Sequence, residues 1–310
     1  MVQSRTPNVL STPDRESVHA FLASARPIGC SRISSASAES IAQVAATKGS
    51  AMVGYAQAVL GTDGYTIDCV ADDPATREQL VTSVMAELPD GSAVTWWSHD
   101  DASDAALAKS LRMPPPHRRL LNMRRPLPLE PELSHRAAVE VRPFVIGVDE
   151  QAWLRVNNAA FGWHPEQGDW DLATLRERMS EPWFDPAGFL LHDRDDRLAA
   201  FCWTKVHDNG VGEIYVIAVD PSFHGLGLGR AMTVAGLRHL SETGSTMAML
   251  YVEADNTSAV RLYESLGFHT THTDVAFHRP ASERPATERP ATERPTSERP
   301  TSERPSGDDQ

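Results

Sequence analysis

The stretch from Glu213 to Gly229 constrains the fold of this chain more than any other. It opens with a β-branched apolar run, Ile214 to Val219, and apolar residues on both sides of such a run predict a strand buried on both faces. Asp220-Pro221 ends that strand, because proline has no amide hydrogen for the ladder and restricts the residue before it. Glycines follow at 225, 227 and 229, and the next segment predicts a helix from Leu228 to about Thr243.

The three glycines suggest an anion-binding turn. Lacking a Cβ, they let several backbone N–H groups converge on one point at the helix N-terminus, which suits a phosphate or pyrophosphate. A P-loop would need Gly-Lys-Ser/Thr, whereas the chain has Gly229-Arg230-Ala231. A dinucleotide fingerprint would need G-x-G-x-x-G rather than G-x-G-x-G, although Glu253 ends the next strand, where a ribose-binding acid would lie. That alternative stays open, as does a glycine turn with no ligand.

The segment that follows narrows the choice of ligand for the glycine turn. Residues 246–253 predict a second buried strand, and Asp255-Asn256 can cap a helix with an apolar face formed by Ala259, Leu262, Tyr263 and Leu266. Gly267 then ends that helix in a left-handed cap. In this order, the two linked motifs resemble the GNAT acyltransferase superfamily, and the resemblance implies an acetyl-CoA-dependent N-acetyltransferase.

The resemblance also implies a set of acetyl-CoA-binding residues. The backbone of the central strand would bond the pantetheine arm, the loop would hold the pyrophosphate, and the next helix would flank the coenzyme. His224 stands where the superfamily usually has Gln or Arg, so the long side chain of that position is missing. The residues of the three groups are Ile217, Ala218 and Val219; His224, Gly225, Leu226, Gly227, Leu228, Gly229 and Arg230; and Asn256, Thr257, Ser258, Ala259, Val260 and Arg261.

Two residues are candidates for proton transfer. Glu213 would take the proton from the substrate ammonium, directly or through water, and Tyr263 would protonate the departing thiolate. Glu213 is also compatible with a solvated acid at a strand end. Tyr263 is equally compatible with a core residue whose hydroxyl bonds to backbone.

Further phrases, among them the segments 161–168 and 203–207, resemble a tandem-domain branch of the superfamily. Its members acetylate the cysteinyl amine of desacetylmycothiol, and the resemblance implies direct attack in a ternary complex. It further implies that Glu166, Lys205, Glu213 and Tyr251 bind this hydroxyl-rich, cationic substrate. Without the resemblance, Glu166 and Lys205 are ordinary solvated charges and Tyr251 is a packed strand residue.

The two halves of the chain predict the same order of elements, which indicates an internal duplication. The fold class is therefore α+β, with two tandem GNAT-like domains, each a mixed, mostly antiparallel sheet flanked by helices. We expect a degenerate domain over 1–125, a proline-rich linker over 126–136, the catalytic domain over 137–279 and a disordered Arg-Pro-Ser/Thr-Glu tail over 280–310. At the position of the glycine loop, the segment 71–78 of the first half has no glycine and carries two adjacent acids, Asp72 and Asp73, so we expect this half to bind acetyl-CoA poorly.

Individual elements follow from periodicity and turn residues. The predicted helices are 13–24, 38–47, 74–88, 102–111, 149–160, 171–179 and 228–243, and the predicted strands are 51–60, 65–70, 93–97, 120–123, 139–142, 188–192, 197–205, 214–219 and 246–253.

Composition bears on the partners. The 310 residues carry 29 Lys and Arg against 42 Asp and Glu, a formal charge of −13, which disfavours nucleic acid as a partner. Cys30, Cys69 and Cys202 lack metal-ligand spacing, and no signal peptide or long apolar run is visible. His269, His272 and His278 lack a Cys or carboxylate partner at ligand spacing, so we expect no metal. These features predict a cytoplasmic monomer that acts on a small molecule and binds no membrane.

Three rival functions remain at this level. Another GNAT enzyme, acting on a protein N-terminus or an antibiotic amine, would share the coenzyme residues but not the phrases around Glu166 and Lys205. A non-catalytic acyl-CoA sensor would not need Glu213 or Tyr263. A Rossmann-type nucleotide binder would bind NADH instead of acetyl-CoA.

Overall fold

The computed structural model of the chain describes residues 9–24, 40–61, 63–99, 102–132, 139–162 and 167–282. The first half contains β1 (Val9–Ser11), α1 (Arg15–Ser24), β2 (Ser40–Lys48), β3 (Ala51–Gly61), β4 (Gly64–Ala71), α2 (Pro74–Glu87), β5 (Val94–His99), α3 (Ala102–Ser110) and β6 (Arg118–Pro126). The second half contains β7 (Arg142–Pro143), α4 (Glu150–Phe161), α5 (Leu172–Met179), β8 (Phe189–Arg194), β9 (Arg197–Val206), β10 (Gly212–Val219), α6 (Leu228–Glu242), β11 (Met247–Glu253), α7 (Thr257–Ser265) and β12 (His269–Arg279).

The twelve strands within the described residues form one continuous sheet in the order β1-β2-β3-β4-β5-β12-β6-β11-β10-β9-β8-β7. Only the β4–β5 and β10–β11 pairs are parallel, and every other neighbouring pair is antiparallel. The predicted α+β class with a mixed, mostly antiparallel sheet is therefore confirmed.

The two halves exchange their last strands. β6, from the first half, pairs with β11 of the second half, and β12, from the second half, pairs with β5 of the first. β6 and β12 also pair with each other at the centre of the sheet. Apart from the short β1 and β7, the strands run inward from the two edges of the sheet in the same sequence order. They are β2, β3, β4 and β5 from one edge and β8, β9, β10 and β11 from the other, which fits an internal duplication. The boundaries predicted at 125 and 136 stay a prediction.

The helices cover the two faces of the sheet unequally. Apolar residues of α6 and α7 pack with β10, β11 and β6 in one core, and those of α2 and α3 pack with β4, β5 and β12 in another. Because side chains alternate along each strand, these four helices lie on the same face. On the opposite face, α1 packs on β3, and α4 packs its Trp153 on Phe201 and Trp203 of β9. The strands at the centre of that second face carry mostly polar side chains.

Most predicted elements are present, two expectations were wrong and one strand was missed. The helix predicted over 38–47 is instead strand β2 within the described part, because Ala42, Val44 and Ala46 all face the first-half core and pairing on both edges outweighs the helix propensity of alanine. Of the strand predicted over 139–142, only Arg142 lies in a strand, the short β7 that pairs Arg142 and Pro143 with Leu191 and Leu190 of β8. The long strand β12 was not predicted.

A buried arginine ties the first half to the helix that follows β11. Arg125 of β6 is only 2% exposed, and its Nη1 donates to the carbonyl of Leu266, which caps the C-terminus of α7. The same guanidinium donates to the carbonyl of Pro126 at 2.9 Å and pairs with Glu130 at 3.1 Å. A cation here complements the negative end of the helix dipole. Strand exchange therefore fixes the end of α7 through a side chain from the other half.

Replacing Arg125 with Met tests this tie. We expect Arg125→Met to lower the free energy of unfolding by about 1–3 kcal/mol, because the buried carbonyl of Leu266 loses its donor and the carbonyl of Pro126 loses a second one. The measurement is chemical denaturation followed by fluorescence. Arg119→Met, on an exposed side chain of the same strand, is the control and should change stability by less than about 0.5 kcal/mol. Equal stability of the two variants would show that Arg125 does not hold α7.

Candidate active site

The two parallel strands of the second half separate at their carboxyl ends. β10 and β11 pair only from Gly212↔Ala248 to Ile214↔Leu250, and the register of β10 with β9 shifts at a bulge immediately after Ile214. β10 nevertheless stays paired with β9 as far as Val219. The edge of residues 215–219 that faces β11 therefore has no strand partner, and its backbone groups are available to a ligand.

The loop after β10 delivers the chain to the N-terminus of α6. Asp220 accepts bonds from the amide and hydroxyl of Ser222 at 2.8 and 2.6 Å, which shapes the turn. Gly225 and Gly227 have φ values of 79° and 76°, in the left-handed region that favours glycine. Gly227 is the N-cap of α6, and no side chain caps the helix there. The first-turn amides of α6 have no intrahelical partner and face outward as anion donors.

The corresponding helix of the first half has a different N-terminus. The carboxylate of Asp73 accepts bonds from the amides of Ala75 and Thr76 at 3.0 and 3.1 Å. Arg77, in the first turn of α2, pairs at 2.5 Å with the buried Asp104 of α3. A carboxylate of the chain itself therefore occupies the donors that an incoming phosphate would need. This is the physical basis for expecting poor coenzyme binding in the first half.

The pyrophosphate residues predicted from sequence lie together at this loop, although two side chains have other partners. The imidazole Nε2 of His224 lies 3.2 Å from the carbonyl of Val219, so the ring folds back onto the end of β10. Arg230 Nη1 donates to Ser265 Oγ at 2.7 Å, which links α6 to α7. Leu228 is buried and anchors the helix, whereas Leu226 is exposed. The backbone amide of Arg230 is thus suited to bind an anion, while its side chain bridges α6 and α7.

The predicted coenzyme residues of α7 line the other side of the same gap. Asn256 is the N-cap of α7 and accepts a bond from the amide of Ala259 at 3.2 Å, so its side chain orients the helix. Ala259 and Val260 pack against the core, and Thr257, Ser258 and Arg261 are exposed. On the strand side, Ile217 and Val219 pack toward the same core, while Ala218 faces the other one.

The predicted substrate residues share the opposite face of the sheet. Glu213, only 7% exposed, is the Cα partner of Lys205 on β9 and of Met249 on β11. Tyr251 lies two residues beyond Met249, so its side chain is on the same face as that of Glu213. The Nζ of Lys205 sits 4.6 Å from the centroid of the Trp183 ring and 5.7 Å from that of Tyr215. Glu166 lies outside the described residues.

The two proton-transfer candidates therefore approach the gap from opposite faces. Tyr263 packs in the core between α6, α7 and β10, with its ring 5.8 Å from that of Phe268. Burial raises the pKa of the Tyr263 phenol, with the Cys202 thiol nearby adding to the effect, so the hydroxyl keeps its proton. Glu213 lies on the face of α4 and α5. A molecule threaded between the separated strands would have the phenol of Tyr263 on one side and the carboxylate of Glu213 on the other.

Three neighbours of the site were not given roles from sequence. His207 Nε2 lies 2.7 Å from Glu213 Oε2, across the β9–β10 turn. Trp183 and Tyr215 form the aromatic wall beside Lys205, and burial, with the Glu213 carboxylate adding to it, raises the pKa of Tyr215 to about 12. His207 follows Lys205 by two residues, so both side chains lie on one side of β9 and its extension. This spacing was the sequence signal that could have identified His207.

Two further observations concern the described residues only. None of their helices combines the length and apolar character needed to span a bilayer. They also contain no group of three or more His, Cys, Asp or Glu side chains arranged to hold a metal ion.

Comparison with known proteins shows the family of this chain. Residues 153–268 match the acetyltransferase (GNAT) family model. The chain is 52% identical over 187 residues to a mycothiol acetyltransferase of Thermomonospora curvata, covering 59% of this chain and 63% of that protein. It is 42% identical over 255 residues to a mycothiol acetyltransferase of Kocuria rhizophila, covering 76% of this chain and 83% of that protein.

Solved structures show the same fold at low sequence identity. A GCN5-related N-acetyltransferase from Sphaerobacter thermophilus superposes with a TM-score of 0.64 at 18% identity, covering 88% of this chain and 95% of that one. A tandem GNAT protein from the clavulanic acid biosynthesis pathway gives 0.54 at 14% identity, covering 78% of this chain and 83% of that one. The tandem GNAT architecture predicted from sequence is thus confirmed at the level of the fold.

The glycine loop can be tested with a matched pair of variants. Gly227, at the start of α6, and Gly244, just past its end, both have positive φ and open space where a Cβ would project. Alanine should cost each position a similar stability, about 1–2 kcal/mol. Only Gly227→Ala should weaken acetyl-CoA binding, by about tenfold or more in Kd measured by calorimetry, because the amides move and a methyl enters the anion site. Equal affinities for the two variants would contradict the assignment of the loop.

The difference between the two halves predicts the binding stoichiometry. Calorimetric titration of the full chain with acetyl-CoA should give one site per chain, because Asp73 already occupies the amides of α2. Two sites of comparable affinity would show that this cap is displaced.

Proposed function

The chain belongs to the mycothiol acetyltransferase family of GNAT acetyltransferases, and we propose that it transfers the acetyl group of acetyl-CoA to the cysteinyl amine of desacetylmycothiol, giving mycothiol and CoA. The observation that carries the proposal is the opening between β10 and β11, with an uncapped helix N-terminus at one end and Glu213 at the other. A gap between strands, an anion site and a buried carboxylate match the chemistry of an acyl-CoA attacked by an amine.

The residues present fit acetyl-CoA. The amides from Gly225 to Arg230 would hold the pyrophosphate, since no side chain of the loop caps them. The free edge of Ile217 to Val219 would bond the amides of the pantetheine arm and orient the thioester carbonyl. The coenzyme supplies an acyl carbon activated as a thioester. Preorganised backbone donors of this kind contribute about 10²–10³ in rate.

Glu213 acts as the base in this proposal. Its carboxylate, buried beside Lys205, receives the proton that the substrate ammonium must lose before its nitrogen can attack. The transfer runs directly or through one water. Tyr263, kept protonated by burial, donates the proton that the departing thiolate needs.

Buried thiols support direct transfer without an acetyl-enzyme. Cys69 and Cys202 are the cysteines of the described residues, both are unpaired and buried, and burial raises the pKa of each thiol. A protonated, buried thiol is a poor nucleophile. The amine therefore attacks the thioester within a ternary complex, and the reaction as proposed uses no metal ion.

In this proposal the substrate lies on the face of the sheet that carries the side chain of Glu213. Lys205, supported by the rings of Trp183 and Tyr215, would bond hydroxyls of the inositol. Tyr251 lies on β11, the strand next to the one that carries Glu213. Glu166 completes the proposed set, on a segment beyond α4. A hydroxyl-rich substrate suits a wall of carboxylates, a lysine and a phenol.

We also propose the remaining features of the organisation. The degenerate first domain spans 1–125 and the catalytic domain 137–279, joined by the linker 126–136 and followed by the tail 280–310. The chain acts as a monomer, because both halves already share one sheet, and it works in the cytoplasm, in keeping with its unpaired cysteines.

Mass spectrometry of a mixture of the protein, acetyl-CoA and desacetylmycothiol tests the substrate assignment. We expect an N-acetylated product, with free thiol retained, and one CoA released per product. A parallel reaction with a small antibiotic amine tests the alternative acceptor class. Turnover of that amine alone would overturn the substrate assignment while leaving the acetyltransferase activity in place.

Glu213→Gln tests the base. It removes the proton acceptor but keeps the size and the hydrogen-bonding outline of the side chain, so kcat should fall by about 10²-fold or more while acetyl-CoA affinity stays unchanged. The exposed Glu242→Gln, at the end of α6, is the control and should leave kcat unchanged. Stopped-flow detection of released CoA measures both. An unchanged kcat for Glu213→Gln would remove Glu213 from catalysis.

A further inference from the structure

His207 holds the carboxylate of Glu213 from across a rigid turn. Its ring Nε2 lies 2.7 Å from Glu213 Oε2, and the side chains are 15% and 9% exposed. No other titratable side chain in the described residues is hydrogen-bonded to Glu213. Since the carboxylate accepts, the imidazole nitrogen carries the proton and donates.

The turn that carries His207 is fixed by its own backbone. The amide of His207 donates to the carbonyl of Val211 at 2.9 Å, and the amide of Gly210 donates to the carbonyl of His207 at 2.8 Å. Asn209 Oδ1 accepts from the amide of Val211 at 3.2 Å. Glu213 follows two residues later, paired to Lys205 on one side and Met249 on the other. Both ends of the imidazole–carboxylate contact therefore rest on ordered backbone.

The contact has a consequence for the geometry of proton transfer. It engages Oε2 of Glu213, which leaves Oε1 to face the incoming amine. Free rotation of a carboxylate in a partly buried site would let it turn away from the acceptor or toward the Lys205 ammonium on the neighbouring strand. A donor that fixes one oxygen prevents this, because a base must lie within hydrogen-bond reach of the proton that it takes.

We propose that His207 is a positioning residue of the acetyl transfer, which orients the Glu213 carboxylate toward the amine of the acceptor. The proposal rests on the proposed function, in which Glu213 is the base. His207 does not contact the coenzyme site, because it lies at the opposite end of β10 from the glycine loop. Its removal should therefore affect the chemical step and spare acetyl-CoA binding.

A double-mutant cycle tests the proposal on the full chain. His207→Leu should lower kcat about tenfold, the size expected for losing a hydrogen bond to a charged group, with the KM for acetyl-CoA unchanged. His207→Gln, whose amide can donate from a similar place, should recover most of that loss. In a Glu213→Gln background, His207→Leu should cause no further loss, because the residue acts only through Glu213. His192→Leu is the control, because it removes an imidazole of β8 that is bonded to the Glu140 carbonyl.

Three outcomes would contradict the positioning role of His207. An equal loss from His207→Leu in both backgrounds, or no recovery with His207→Gln at unchanged melting temperature, would overturn the positioning role. A rise in the KM of the acceptor with kcat unchanged would make His207 a substrate contact and would also overturn it. Wild-type turnover of desacetylmycothiol is measured first, so failure of the proposed function shows there and not in the cycle.

Discussion

The site depends on an interruption in backbone pairing. Two parallel strands that begin side by side, β10 and β11, part after Ile214 because a bulge turns β10 while β9 still holds its other edge. A sheet interior rarely leaves backbone donors and acceptors without partners, because each costs free energy comparable to a lost hydrogen bond. We propose that the separated edge binds an extended amide-bearing molecule, the pantetheine arm of the coenzyme. The glycine loop, α7 and the residues proposed for proton transfer lie around this edge.

The first half shares part of the backbone arrangement of the second half but differs from it at the helix N-terminus. β4 and β5 are also parallel and also pair at only three positions, Tyr65↔Val94 to Ile67↔Trp96. The backbone arrangement is thus retained, whereas the uncapped helix N-terminus is not. Asp73 caps the helix that would receive an anion, and Arg77 pairs with Asp104 between the two helices. The first half also contributes β6, which pairs with β11, and its Arg125 bonds to the end of the helix that carries Tyr263.

Sequence alone identified the parts of the chain where local chemistry decides the conformation. Pro221 and the glycines of the loop marked the turn, and Asn256 and Gly267 marked the ends of α7, because caps and left-handed positions are read from single residues. It failed where pairing decides. The alanine-rich β2 is a strand only because β1 and β3 flank it, and the exchange of β6 and β12 joins residues more than a hundred positions apart. The His207–Glu213 contact depends on the shape of one turn, which periodicity does not report.

Hydrogen–deuterium exchange with and without acetyl-CoA tests the central claim most directly, because it measures the unpaired backbone itself. Saturating acetyl-CoA should slow exchange in peptides that cover residues 215–219 and 224–230, and it should leave the peptide over 71–78 of the first half unchanged. Protection of 71–78 with none at 215–219 would place the coenzyme in the other half and contradict the account.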